Sequence, residues 1–345
     1  MSSNVASAMP VVAARTPAPP MAGPEIWNQL WIALGWVVAG TIYYPWRVCE
    51  WLIGRSLGCA ATSHHVILGT LRRIRRSWPV EVSWPNMLDP HARLTVRLDL
   101  CQNTQLWYFR TAGRYNEPWM RILAATMPFV DCFIDVGAHH GLYALTISQA
   151  FPEKRVLAIE PDPNHVAALQ IHQRLNGLDR IEVYPMAIAQ DKEEATLYRN
   201  PLNDGGAGLQ PVEEFTSGPW RVAAPAFLRA HPEFLATTQV ACQRLDQLVT
   251  APCALKIDVE GSELNVLQSA EGLLENGMVP LMVVEVMQDH LDDVIQYLAT
   301  YQIDCFRAGY PQPLVPGVQL GRRVANLVCL HREFGDREQV VGHLR

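Results

Sequence analysis

Three stretches of this chain place acidic side chains where apolar, strand-like runs end and helix-opening patterns begin. The first is Asp135-Val-Gly137-Ala138-His139-His140-Gly141, after the run CFI. Glycines at such a turn let the backbone approach a ligand closely, as in dinucleotide-binding loops, but the GxGxxG spacing is missing here. The carboxylate two residues before Gly137 says more. A pyrophosphate docking on the helix N-terminus would be repelled by it, whereas a ligand with a positively charged head would be attracted. S-adenosylmethionine has an ammonium and a sulfonium and carries no phosphate.

The second stretch is AIEPDP, with Glu160 at the tip of the next apolar run and Asp162 just beyond it. A carboxylate at this strand end can accept hydrogen bonds from both ribose hydroxyls, a role shared by nicotinamide and S-adenosylmethionine sites. It supports a nucleoside without choosing between them, and an acidic cap on the helix that starts at Pro163 is the plain alternative. The third stretch is ALKIDVEGSELNVLQSAEGLL, residues 254 to 274. Strand alternation puts Lys256 and Asp258 on one face and Leu255 and Ile257 on the other, with Glu260, Gly261 and Glu263 opening a helix. The plain reading here is an ion pair of Lys256 with Asp258 or Glu285, plus acids favouring a helix N-terminus.

These positions need strands to hold them. From about 131 to 334 the chain alternates CFIDV, a helix from Gly141, RVLAIE, a helix from Asn164, IEVYPMAI, ALKIDV, a helix from Ser262, PLMVVEV, a helix near His290, and NLVCLH. Such alternation predicts an α/β fold, a doubly wound and mostly parallel sheet with helices on both faces, and ligands at the carboxyl ends of its strands. Residues 80 to 130 read as a small β cap (VEVSW, ARLTVRLDL, QLWYFR) leading into a helix at about 117 to 127. Residues 200 to 236 are long, rich in Gly and Pro and without clear periodicity, which suits a substrate-choosing lid.

Residues 1 to 25, rich in Ala, Pro and Ser, read as a disordered tail without the pattern of a secretory signal, and residues 335 to 345 as a C-terminal tail. Residues 26 to 79 form a hydrophobic, then basic, helical extension. Ile26 to Trp46 carries no charge and would span about 31 Å as a helix, near the hydrocarbon thickness of a bilayer. Asn28, Gln29 and Pro45 stand against a crossing. Trp27, Trp31, Trp36, Trp46 and Trp51, with Arg72, Arg73, Arg75 and Arg76, favour membrane contact. A span, an interfacial anchor and helices folded onto the main domain all stay open; a span would leave the C-terminal bulk in the cytosol.

Composition narrows the partners. The chain has 345 residues, 49% hydrophobic and 18% charged, with a formal net charge of −6, so a polyphosphate backbone would be repelled over most of the surface and nucleic acid is not an expected partner. Eight cysteines show no CxxC pair and no ligand-like spacing with histidine, so no zinc site is expected; several lie in apolar runs, as in reduced cytosolic proteins.

DVGAHHGLYALTIS, IEPDP, the Leu245-Asp246 step, LKIDVEGSELNVL, VVEV and the closing Asn326-Leu-Val-Cys run together resemble the FkbM-type S-adenosylmethionine-dependent methyltransferases, over about 117 to 332. The resemblance implies a class I methyltransferase sheet of seven strands with the last antiparallel, and methylation of a hydroxyl oxygen on a sugar or natural product. By the same resemblance Asp135, Gly137, Ala138, His139 and Gly141 hold the methionine half, Glu160 with Asp162 the ribose side, and Ala187 and Ile188 border the adenine. Glu117 matches a family glutamate ahead of the first strand. One departure stands out: the family has Asn followed by an apolar residue where this chain has His139 and His140.

A hydroxyl acceptor must lose its proton to a general base within about 3 Å or to a metal-bound state. Asp258 and Glu285 are the candidates, with Lys256 beside them and His290 a weaker one. Two strand-end carboxylates are compatible with one Mg²⁺ but fall short of a ligand set. A nicotinamide-dependent oxidoreductase would share the fold and Glu160 but not Asp135 beside the phosphate turn. A membrane-attached adaptor without turnover would show damage at Asp135, Glu160 or Asp258, and all three are intact.

Overall fold

Runs that are apolar at nearly every position, such as CFIDV and CALKI, suit strands covered on both faces. A computed structural model of the chain describes residues 68–69, 71–72, 77–199, 204–210, 236–308, 312–319, 324–335 and 340–341. Its central strands are β3 (Cys132–Val136), β4 (Arg155–Ile159), β5 (Glu182–Tyr184), β9 (Cys253–Ile257), β10 (Leu281–Met287), β11 (Ile303–Arg307) and β12 (Val324–His331), in the order β11-β12-β10-β9-β3-β4-β5. All neighbours from β10 to β5 run parallel, and β12 is antiparallel to both β10 and β11. This is the seven-stranded class I methyltransferase sheet.

Alternation along each strand splits the core into two layers. Phe133, Val156, Ala254 and Val283 pack with Met120, Leu123, Leu145 and Leu169, whereas Ile134, Leu157, Leu255 and Val284 pack with Val266, Leu267, Leu291 and Leu298. The first layer is covered by α2 (Glu117–Thr126), α3 (Leu142–Ala150) and α4 (Pro163–Asn176), the second by α5 (Glu263–Ser269), α6 (Glu271–Glu275) and α7 (Leu291–Thr300). Helix α2 falls where the sequence places it.

The cap is an antiparallel hairpin of β1 (Pro79–Pro85) and β2 (Arg93–Asp99). Asn176 at the end of α4 holds it, accepting from Thr95 N–H at 2.7 Å and donating to Thr95 C=O at 2.6 Å. The core does not begin at residue 80: Leu68, Leu71 and Trp78 are all under 5% exposed and belong to the cap layer.

The expected elements differ in four places, the first being β11, a central strand that the expected alternation does not contain. QLWYFR is not a strand but part of a helix, α1 (Asn103–Thr111), because Leu106 and Phe109, three residues apart, both face the core. IEVYPMAI is not one strand. Pro185, which cannot donate to a ladder, divides it into β5 in the central sheet and β6 (Ala187–Ile188) in a second one. That second sheet, β6-β8-β7, also holds β7 (Glu194–Tyr198) and β8 (Thr237–Gln243), which flank the expected lid. Most of that lid, and residues 26 to 67 with the membrane reading, lie outside the described residues. Among the described residues no helix is long and apolar enough to cross a membrane.

Candidate functional site

The carboxyl ends of β3 and β9 meet at a backbone contact that only glycine permits. Gly137 has φ +77, and a Cβ there would lie 1.8 Å from the carbonyl oxygen of Asp258. The N–H groups of Gly137 and Ala138 both donate to Ile159 C=O, and Asp258 N–H donates to Val136 C=O at 3.0 Å, so three strand ends are tied into one rim. Gly141, φ +79, has no room for a Cβ against Leu169, which seats α3 on α4.

Asp135 and Lys256 are register partners on adjacent strands, both about 98% enclosed. The Lys256 ammonium lies 3.1 Å from Asp258 Oδ2 and 5.3 Å above the Tyr143 ring. Burial disfavours its charge, but Asp258, Glu285 and Asp135 outweigh that and raise its pKa. Asp135 accepts from Ala144 N–H at 3.2 Å. Burial pushes its pKa up to about 7, against the pull of Lys256. Glu285 accepts from Asn326 Nδ2 at 3.1 Å, and the charge of Asp258, followed by burial, pushes it to about 7 as well. One ammonium therefore faces three carboxylates. Asp258 has its side chain 35% exposed, and of the other two only Asp135 is fully buried.

Glu160, 5% exposed, accepts from His139 N–H at 2.8 Å through Oε2, and its Oε1 meets Asp162 N–H at 2.8 Å and His165 Nδ1 at 3.3 Å. Below the Asp258 loop, Glu263 accepts from Gly261 N–H through Oε1, while its Oε2 is buried without a partner among the described residues. Burial raises the pKa of Glu263, and burial with the neighbouring acids raises that of Glu260 well above the ordinary value.

The structure brings Asp135, Gly137, Ala138, Lys256, Asp258 and Glu285 to adjoining strand ends, with Glu160 on the next strand. Other expected site residues go elsewhere. Asp162, 2% exposed, caps α4 at Asn164 N–H and pairs with Arg199 at 2.6 Å, so both of its oxygens are engaged and it braces the Glu160 loop. Glu117 bonds Arg121 at 2.8 Å and stands 3.9 Å from Arg114, with no bond to the strand-end acids among the described residues. Ala187 and Ile188 lie buried in β6, paired with Cys242 and Gln243. His290 sits in the turn before α7, on the side of Glu263 rather than of Asp258. Sequence reasoning missed a cluster: His139, His140 and His165 come together because the β3 turn packs on the start of α4, which their spacing along the chain does not show.

A family model described as "Methyltransferase FkbM domain" matches residues 135–310, just over half of the chain. The chain belongs to the FkbM methyltransferase family. It is similar to "Methyltransferase 1" of Beauveria bassiana (strain ARSEF 2860), 25% identical over 166 residues that make up 45% of this chain and 66% of that protein. The chain thus spans just under two thirds of that relative. Solved structures similar to it include an rRNA methylase from Streptococcus thermophilus (12% identity, 62% of this chain and 93% of that one, TM-score 0.35) and human methyltransferase 10 domain containing protein (13%, 63% and 78%, TM-score 0.33). The class I assignment of the FkbM domain rests on its own strand order.

Proposed function

We propose that the protein methylates a hydroxyl oxygen of a sugar or natural-product acceptor, with S-adenosylmethionine as methyl donor bound at the ends of β3, β4 and β9. The observation that carries this reading is the charge imbalance: one buried ammonium among three carboxylates, two of them pushed to about 7. A cationic head entering beside Asp135 relieves that imbalance, whereas a phosphate would worsen it. The Gly137 turn offers close backbone approach, and Glu160 is held rigid with its Oε2 accepting from His139 N–H, the arrangement a ribose diol requires.

S-adenosylmethionine, when bound, supplies an electrophilic methyl group on a sulfonium that leaves neutral. The chain's residues do the rest. Asp135 attracts the ammonium end, Gly137 and Ala138 admit it to the backbone, and Glu160 orients the ribose. Asp258, its side chain partly exposed, takes the proton from the acceptor hydroxyl. Lys256 positions Asp258 through their 3.1 Å contact, and Glu285, near 7, keeps the rim close to neutral. Positioning alone can contribute on the order of 7 to 11 kcal/mol to such a reaction. The Lys256 ammonium already supplies a cation to Asp258 at 3.1 Å and feels the charge of Glu285, which favours the base reading over a metal one. A cytosolic setting, with the extension before residue 68 against a membrane surface, belongs to the same proposal and rests on sequence alone.

The test is Asp258→Asn. With cofactor affinity kept, turnover falls at least about a hundredfold if Asp258 is the base; an unchanged rate removes it from that role. Turnover that added Mg²⁺ does not raise is the accompanying expectation.

A further inference from the structure

The turn after β3 carries two imidazoles that methyl transfer leaves unused, and the fold sets a third beside them. The rings of His139 and His140 stack with centroids 4.2 Å apart, and His165 meets His139 edge-on at 4.2 Å. One ring nitrogen from each of the three lies within 4.8 Å of the others. Both ring nitrogens of His139 and Nδ1 of His140 are buried with no hydrogen-bond partner among the described residues. His140 is only 5% exposed. Leaving a buried polar atom unpaired costs stability, so three in one place call for an occupant.

The chemistry of the occupant follows from the donors. Burial, helped by the neighbouring histidines, holds His139 and His140 below the ordinary imidazole value, His139 at about 4, so both offer neutral lone pairs. His165 uses Nδ1 on Glu160 Oε1 at 3.3 Å, which leaves Nε2 as its ligand atom. A carboxylate behind an imidazole fixes its tautomer and raises its basicity, the usual outer partner of a metal-bound histidine. Asp204 Oδ2 stands 3.8 Å from His139 Nε2, and Asp204 is itself anchored by Thr104 N–H at 2.7 Å and Gln105 Nε2 at 3.1 Å.

We propose that His139, His140 and His165 bind one divalent ion of the zinc class, and that Asp204, which lies outside the three-histidine cluster at 3.8 Å from His139 Nε2, closes on it as fourth ligand. Three imidazoles and a carboxylate suit Zn²⁺ and its transition-metal neighbours rather than Mg²⁺ or Ca²⁺. Four-coordinate bonds of about 2.0–2.1 Å would bring the ligand atoms to about 3.4 Å from one another. The stacked rings reach that by turning about their terminal torsions, which are broad in histidine. The ion would clamp the β3 turn to α4 and to residue 204, bracing Glu160 from behind. It is a structural brace, independent of which acceptor the enzyme methylates.

The test uses the full chain, stripped of metal and titrated with Zn²⁺, then with Co²⁺. The expected result is one ion per chain by elemental analysis and a rise in unfolding temperature with Zn²⁺, since an ion that binds only the folded state stabilises it. Co²⁺ would give the visible bands of a four-coordinate site without near-ultraviolet thiolate charge transfer. His140→Leu and His139→Asn, each measured alone, should lose the ion and the stabilisation while the metal-free proteins still unfold cooperatively. Should one fail to fold, the other decides. Uptake well below one ion per chain, uptake that both variants retain, or a thiolate band placing the ion on cysteines would each overturn the proposal.

Discussion

Lys256 holds together a group of acids that would not otherwise share one strand end. Replacing it with Met leaves Asp135, Asp258 and Glu285 without a cation, and breaking a buried pair costs on the order of 3–5 kcal/mol; chemical denaturation should show a loss at the lower end, since Asp258 is partly solvated. Asp135 makes a pH-dependent prediction. Its folded value is about 7 against about 3.9 in an unfolded chain, so between these the folded protein keeps a proton that the unfolded chain releases. Its contribution to stability is complete below about pH 4 and is lost as pH rises through 7. Relative to Asp135→Asn, the wild type should lose at most about 4 kcal/mol from pH 4 to pH 8 in urea unfolding. Parallel pH dependence of the two proteins would mean Asp135 is ionised throughout. At this scale the sequence shows Asp135, Glu160 and Asp258, because each acid directly follows an apolar run. It does not show the duty of Asp162, whose Arg199 partner directly follows β7, or the histidine cluster, assembled by helix packing rather than by spacing.

At the scale of elements, two glycine turns join what the strands deliver. Gly137→Ala would set a Cβ 1.8 Å from Asp258 C=O at a φ that L residues avoid, so it should destabilise by at least about 2 kcal/mol and push the β3 and β9 ends apart. The expected outcome is a lower unfolding temperature together with loss of cofactor binding. A protein as stable as the wild type would contradict the strand-end contact. Strands β3, β4, β9 and β10 were legible because burial on both faces leaves an apolar run, whereas β11, IDCFR, half-buried at two of its five positions, was not among the expected strands. Helix α1 was not legible, since QLWYFR mixes aromatic and polar residues at both periods and only packing of Leu106 and Phe109 decides. The second sheet escaped because β6 is two residues long and 38 residues, most of them the expected lid, separate β7 from β8.

At the scale of the whole molecule, the packed core does not start where composition changes. Trp78 is 1% exposed, its carbonyl accepts from Leu100 N–H, and its N–H donates to Asp99 Oδ1 at 2.7 Å. A fragment beginning at residue 80 loses Leu68, Leu71 and Trp78, and removing the tryptophan alone should cost about 3–5 kcal/mol. A fragment beginning at residue 66 should therefore unfold at a clearly higher temperature than one beginning at 80; equal stability would show that the segment before β1 is dispensable. The central claim concerns the full chain: the ends of β3, β4 and β9 form a site for a cationic nucleoside. Calorimetric titration of the intact protein with S-adenosylmethionine, its demethylated product and NADH tests this directly, alongside Asp135→Ala and Glu160→Ala. The account predicts micromolar binding of the two sulfur compounds, abolished by either substitution, and none of NADH. Binding of NADH alone, or of no nucleoside by a folded protein, would contradict it.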